Sequence, residues 1–287
     1  MSTYTSLNEQ EIGHQISCIE GLPPSSQSLY RLITLVSDEI QATRELESII
    51  CYDQALTAKI LRVANSTFYG CRGKVDNIPK ALIILGIKQA KSICLCTLLL
   101  NMLSGGARID PVQRERFWKH SFATSKIAER ISQKRPWISC DDAAVMGLIH
   151  DIGYLIMTVH LQEQFTYIMD LASKTRSSPW SIELQLGLTH TQIGRYAAVR
   201  WGFPECLQAV IEFHHLPEMS LSYQAETRII HLADILSNSR DNSELLENET
   251  IIDHCIHLRI SDEEWQEHQD SLESVWSEVD QLWDLLT

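Results

Sequence analysis

From Ser28 to Asn238 apolar side chains recur at three- and four-residue intervals, and no stretch shows the Val-rich, turn-bounded alternation of a strand. Helices striped this way can hide their apolar faces only against one another, so the expected fold class is all-α. SLYRLITLVSDEI, residues 28–40, predicts one helix with Leu29, Leu32, Ile33, Val36 and Ile40 on a shared face. ELESIICYDQALTAKILRVANS holds two such patterns, broken near Tyr52-Asp53, and Asn65 to Gly73 is a turn-rich link. Pro79 then opens a continuous run to Leu103, too apolar to face solvent. Gly105-Gly106 followed by Pro111 marks the expected boundary between an N-terminal helical lobe, residues 1–108, and a helical bundle, residues 109–240. Helices are expected there near 112–134, 141–150, 154–174, 179–200, 204–215 and 224–238, with Asp141 or Cys140 as a cap and Pro204 as a start.

On these helices lie His120, His150, Asp151, His190, His214, His215 and Asp234, whose imidazole and carboxylate groups suit Zn, Fe, Mn or Ni. Two pairs are adjacent: His150-Asp151 closes AAVMGLIHDIG, and His214-His215 closes LQAVIEFHHLPE. Neighbours on a helix point about 100° apart and seldom share a target, but at a fraying last turn they can. Gly153 and Pro217 are expected to end the helix just after each pair. The pattern points to a metal centre in a helical bundle. The bland alternative is a framework whose buried polar groups hydrogen-bond one another without metal. His14, His160, His231, His254, His257 and His268 show no such pattern and are expected to have no role in the site.

The net charge of −13 is concentrated in the last segment. Of 37 acids and 24 bases, 14 acids and one base (Arg259) lie in the extension 241–287, which leaves 23 of each before it. A neutral body with an acidic extension lacks the basic face that direct nucleic-acid binding needs. Within the extension Ser261 and Glu264 have capping-box spacing, and Leu272, Val275, Trp276, Val279, Leu282, Trp283 and Leu286 form an amphipathic stripe. That stripe is expected to dock on the body. No apolar run approaches the ~18–20 residues that span a bilayer, and MSTYTSLNEQEIGHQ lacks the basic and apolar parts of a signal peptide. A cytoplasmic location without membrane contact is therefore expected. The eight cysteines include no CxxC pair, so free, mostly buried thiols are expected.

Seven stretches carry a resemblance: LPPSSQSLYRL, DQALTAKILRVANSTFYG, IPKALIILGIKQAKSI, FWKHSFATSKIAERI, GLIHDIGYLIM, THTQIGRYAAVRWGFP and AVIEFHH. Together they resemble the HDOD (HD-related output domain) family, within the HD superfamily of metal-dependent phosphohydrolases. The resemblance implies an HD-like helical bundle with an N-terminal helical lobe. It implies a first metal held by His120, His150, Asp151 and Asp234. By likeness to two-metal relatives of the HD-GYP type, Asp151 would bridge to a second ion held by His190, His214 and His215. One or two divalent ions, Fe, Mn, Zn or Ni, are thus the expected cofactor. Two positions depart from those relatives: Tyr154 replaces the Lys after HDIG, and LPEMS replaces the Gly-Tyr-Pro stretch after the HH doublet. Cyclic di-GMP specificity is accordingly outside what the resemblance implies.

HDOD proteins are regarded as output modules of bacterial signalling, often appended to receiver domains, and the 21 residues before Leu22 are too few for one. The implied function is a regulatory module acting on a protein partner, its oligomeric state open. The alternative is an active phosphodiesterase or phosphatase taking a phosphate-ester ligand, with Asp151 as its catalytic residue. The cations nearest in sequence are Arg116, Lys119 and Lys126, of which only Arg116 shares the face of His120, at i−4. Solvated surface charge is the expected role of all three.

Overall fold

The computed structural model describes residues 24–35, 39–70, 74–104, 110–247 and 249–286. Among the described residues every regular element is a helix, as the striping requires. The first group comprises α1 (Pro24–Ile33), α2 (Glu39–Tyr52), α3 (Gln54–Ala64), α4 (Ile78–Leu85) and α5 (Ile87–Ser104). Next come α6 (Pro111–Ser132), α7 (Cys140–Ile149), α8 (Ile152–His160), α9 (Gln162–Thr175), α10 (Pro179–Leu186), α11 (His190–Arg200), α12 (Glu205–Phe213) and α13 (Gln224–Asn238). The acidic extension adds α14 (Glu249–Leu258), α15 (Asp262–Asp270) and α16 (Leu272–Leu286).

The break at Tyr52-Asp53 falls where expected, because the Asp53 carboxylate caps α3 by accepting from the amides of Ala55 and Leu56 at 2.8 and 3.1 Å. Four expected helices are interrupted. The one over 28–40 stops at Ile33, and residues 36–38, like most of the expected boundary at 105–110, lie outside the described set. The run from Pro79 to Leu103 turns through 110° at Gly86, whose φ of 75° takes it out of the helix. The 154–174 helix breaks at Leu161, and 179–200 breaks at Gly187. At Gly86 and Leu161 a single residue, and at 187–189 three, leave helical backbone inside an apolar run, so periodicity carries straight across the break. The cap of α7 is Ser139, which accepts from the Asp142 amide, rather than Cys140 or Asp141.

One hydrophobic core runs from Leu29 to Leu286. α5 joins its parts, packing on α1 to α4 on one side and on α6, α7 and α8 on the other. The predicted burial of this segment holds for Ile93, Cys94, Leu95, Cys96 and Leu98, whereas Ile83 is 83% exposed. Among the described cysteines Cys94, Cys96 and Cys255 are buried, Cys206 is partly covered and Cys51 is exposed, all as free thiols. Contrary to the sequence expectation, one window, Asp142–His160, has the length and hydropathy of a bilayer span, but it is 89% buried in this core.

α6 is the central helix and lies against α7, α13 and α16. The extension docks as predicted: Val275, Val279, Leu282, Trp283 and Leu286 are buried, and the Trp283 ring lies 5.2 Å from that of Trp118, itself stacked on Phe122. Its acids meet bases of α6. Lys119 reaches Asp280 at 2.7 Å, Lys126 reaches Glu278 at 2.9 Å and Arg116 reaches Asp241 at 2.9 Å. Lys119 and Lys126, 19% and 15% exposed, therefore hold the extension rather than sit as solvated charge, whereas Arg116, 72% exposed, keeps the expected surface role. Only half of the capping box forms: Ser261 accepts from the Glu264 amide, but the Glu264 carboxylate turns to the buried Arg135 at 2.9 Å.

Candidate metal centre

All seven predicted donors converge where α6, α7, α11, α12 and α13 meet. His120 comes from mid-α6 and Asp234 from mid-α13. His150 is the residue after α7 and Asp151 the one before α8, so the doublet sits in a break between two helices and both side chains can turn inward. His214 likewise follows α12. Gly153 does not end a helix; it lies within α8, where a Cβ would fall 1.8 Å from the His190 carbonyl oxygen. Its role is to let α8 and α11 touch, which brings His190 beside Asp151.

The donors form two halves around the Asp151 carboxylate. Its Oδ2 lies 3.5 Å from His120 Nε2 and 3.4 Å from His150 Nε2. On the same side Asp234 Oδ1 lies 3.2 Å from His120 Nε2 and 3.8 Å from His150 Nε2. Asp151 Oδ1, on the other side, lies 3.2 Å from His190 Nε2 and 3.4 Å from His214 Nε2. One donor atom each from Asp151, His190, His214 and His215 falls within 4.8 Å of the others, and the same holds for His120, His150 and Asp234. Donors about 2.1 Å from a tetrahedral ion would stand roughly 3.4 Å apart, so these spacings fit metal ligation.

The outer nitrogens say which atoms point inward. His150 Nδ1 lies 2.8 Å from the Gly147 carbonyl, and His214 Nδ1 lies 3.1 Å from that of Ile211. His190 Nδ1 lies 2.7 Å from Glu183 Oε2, and His120 Nδ1 lies 3.1 Å from Ser237 Oγ, which itself donates to the His120 carbonyl. With Nδ1–H donating outward, four Nε2 lone pairs face carboxylate oxygens. Asp151 Oδ1 is buried and has no hydrogen-bond partner. Lone pairs converging on an orphaned, buried carboxylate oxygen need a positive charge between them, and the set therefore fits a divalent ion.

The electrostatics agree. Burial alone would raise the Asp151 and Asp234 carboxyls, but the surrounding imidazoles hold both well below the usual range. Burial would depress His120, yet Asp151 and Asp234 raise it to about 10. His190 is likewise depressed by burial but raised to about 10 by Glu183 and Asp151. His214 and His215 go the other way, lowered by burial and by neighbouring histidines. The carboxylates demand positive charge, and without metal they take it as protons.

Five supporting residues escaped the sequence. Glu183 braces His190, and Ser237 braces His120. The Asn238 amide donates to Asp234 Oδ1 at 2.7 Å, and His231 donates from Nδ1 to the His214 carbonyl at 2.7 Å, contrary to its expected lack of a role. Trp180 places its ring 4.6 Å from that of His215. Helical spacing from Asp234 could have flagged His231, Ser237 and Asn238, at i−3, i+3 and i+4. Nothing in the sequence sets Glu183 or Trp180 apart from ordinary residues of a short amphipathic helix.

The HDOD domain family model matches residues 22–217, a span that holds six of the seven donors and stops before Asp234. An HDOD domain protein of unknown function from Geobacter sulfurreducens is similar in structure, with a TM-score of 0.78 at 24% identity, over 94% of this chain and 96% of that one. A candidate phosphohydrolase from Shewanella amazonensis SB2B aligns with a TM-score of 0.72 at 19% identity, over 96% of this chain and 98% of that one. A candidate signal transduction protein from Marinobacter aquaeolei VT8 aligns with a TM-score of 0.78 at 18% identity, over 98% of this chain and 62% of that one. No curated protein matches the sequence.

Proposed function

The chain belongs to the HDOD family, and we propose that it is a cytoplasmic output module of bacterial signal transduction that keeps an HD-type metal centre and acts through a protein partner. A contrast within the site carries this reading. Donors for one or two divalent ions, Fe, Mn, Zn or Ni, are complete, whereas the cations nearest the site in sequence are engaged elsewhere. Lys119 is paired with Glu115 and Asp280, Lys126 with Glu278 and Arg116 with Asp241. The position after HDIG holds Tyr154, whose ring stacks on His190 at 4.0 Å. Burial and the charges of Glu183 and Asp151 push its phenol well above the usual range, so it stays neutral and offers a phosphate no charge.

His120, His150, Asp234 and Asp151 Oδ2 would hold one ion, and His190, His214, His215 and Asp151 Oδ1 a second. Bound there, such ions supply Lewis acidity and hydroxide near neutral pH. The chain's own part is to keep Nε2 of each braced ring inward, to hold Asp151 ionised and to exclude water from the side lined by His150, His190 and His214, which are fully buried.

A second reading, a phosphohydrolase acting on a nucleotide or related phosphate ester with Asp151 as catalytic residue, is favoured by one observation. The side chains of His120 and His215 are 15% and 20% exposed, so the centre opens to solvent on that side. Metal analysis of protein purified without chelator, followed by assays on cyclic dinucleotides, nucleotides and a generic phosphodiester, separates the two. The output reading expects bound metal, little hydrolysis, and an Asp151→Ala variant that loses metal. Robust hydrolysis that disappears in a folded Asp151→Ala protein would reverse the choice. Failure to bind any divalent ion would sink both.

A further inference from the structure

Resting on the two-ion reading above, we infer that Glu183 is the positioning residue that makes the His190 half of the centre competent for metal. Glu183 is fully buried on α10, seven residues before His190 and across the Gly187 turn. Its Oε2 accepts twice from one residue, from the His190 backbone amide at 2.9 Å and from Nδ1 at 2.7 Å. The double contact fixes both where the ring sits and which nitrogen carries the proton, leaving Nε2 free to face Asp151 Oδ1 and His214 Nε2.

Two further observations give Glu183 this role. The first is a charge imbalance between the halves. Around His120 and His150 stand two carboxylates, Asp151 and Asp234, whereas the His190, His214 and His215 half has the shared Asp151 and, beyond it, only Asp234 Oδ2 at 3.8 Å from His215 Nδ1. The other braced rings lean on neutral acceptors: Ser237 Oγ for His120, the Gly147 carbonyl for His150 and the Ile211 carbonyl for His214. Glu183 thus supplies, one atom layer further out, the negative charge the second half lacks. A carboxylate behind a ligating imidazole raises its donor strength. The second observation is the single ion-pair partner of Glu183. Among the described residues its only ion-pair partner is His190, and its Oε1 is buried without a hydrogen bond. A carboxylate buried this deeply is costly unless positive charge reaches it; the Tyr154 phenol beside it is neutral, and among the described residues that charge arrives through the His190 ring, as a proton or as a metal ion.

The test is stepwise Zn(II) titration of the full chain against a chelating indicator, for the wild type, Glu183→Gln and His190→Gln. Gln keeps the size and an acceptor oxygen but removes the charge. Two ions are expected in the wild type. Glu183→Gln should leave the first step unchanged and weaken the second by about 10- to 100-fold, the same step that His190→Gln abolishes. Two-ion binding in the wild type with both steps unaltered in Glu183→Gln, or with both weakened alike, overturns the role of Glu183 and leaves the two-ion reading intact. Uptake of one ion or none by the wild type overturns the two-ion reading, and this inference with it. Long-range ¹H–¹⁵N spectra of the Zn(II)-loaded wild type keep the idea falsifiable if Glu183→Gln fails to fold. They should show His190 protonated at Nδ1 and metal-shifted at Nε2; a proton at Nε2 refutes the assignment.

Discussion

Adding one methyl group at Gly153 should damage the candidate metal centre without replacing a donor. The new Cβ would lie 1.8 Å from the His190 carbonyl oxygen and 2.6 Å from its carbonyl carbon. Carbon and oxygen in non-bonded contact rest at about 3.3–3.6 Å, so α8 and α11 have to part by more than an ångström. Neither side is a flexible side-chain tip; both are helical backbone, and the Gly194 amide stands 3.1 Å away on the same side. Overpacking costs about 1–3 kcal/mol in ordinary cores, and backbone overlap of this depth belongs at ~3 kcal/mol or above. At roughly 2–4 °C per kcal/mol for a chain of this size, Tm should fall by about 6–12 °C. Because the displaced residue is His190, the stabilisation that added Zn(II) provides should shrink as well. Scanning fluorimetry of Gly153→Ala and wild type, with and without Zn(II), reads both effects. A variant with unchanged Tm and full metal response would show that this helix contact does not set the position of His190.

Three other outcomes are expected. In metal-free protein His120 and His190 are raised from 6.5 to about 10, since their carboxylate neighbours outweigh burial. Their protonation stabilises the apo fold fully below pH 6.5 and is lost as pH rises through about 10. Metal must displace those protons, so the apparent Zn(II) affinity should climb from about pH 6 to about pH 8, and a flat profile would refute the pairing. Glu264→Ala strands the buried Arg135 guanidinium and should cost about 3–5 kcal/mol in denaturant unfolding. Burial raises the Glu264 carboxyl, but Arg135 prevails and lowers it, so in the wild type this contribution is present above pH 4.5 and lost as pH falls through the lower folded value; equal stability of the variant at pH 7 would dismiss it. Truncation after Ser239 removes five buried apolar side chains of α16, each worth about 1.5–3 kcal/mol, and should bring aggregation by light scattering or a lower Tm. A truncated chain that stays monomeric and equally stable would make the extension an independent appendage.

The all-helical class and the gathering of the seven donors were legible because both rest on local signals. Three- and four-residue striping marks helices, and doublets before Gly153 and Pro217 mark places where helix geometry relaxes. The reasons at those places were less legible. Gly153 reads as a terminator but is a point of helix–helix contact, and that depends on where His190 lies in space. Gly86, Leu161 and Gly187 interrupt runs whose hydrophobicity continues on both sides, so no window average registers them. Glu183 sits in PWSIELQL, where an acid in an amphipathic helix looks solvent-facing; its burial follows from how α10 packs beside α11. Lys119 and Lys126 look like surface charge because their partners Asp280 and Glu278 lie more than a hundred residues away.

The contact between Trp118 and Trp283 also has a temporal side. The two rings are 165 positions apart in the chain, and Trp118 is only two residues from His120. At the usual ~5–20 residues per second of synthesis, roughly 8–30 s separate the appearance of the first tryptophan from that of the second. Throughout that interval the Trp118–Phe122 flank of α6 is an open apolar surface on a nascent chain, the kind of surface on which chains misassociate or recruit chaperones. The wall behind His120 is thus made long after His120 itself. Metal loading of the His120 half should follow the synthesis of α16 rather than accompany that of α6.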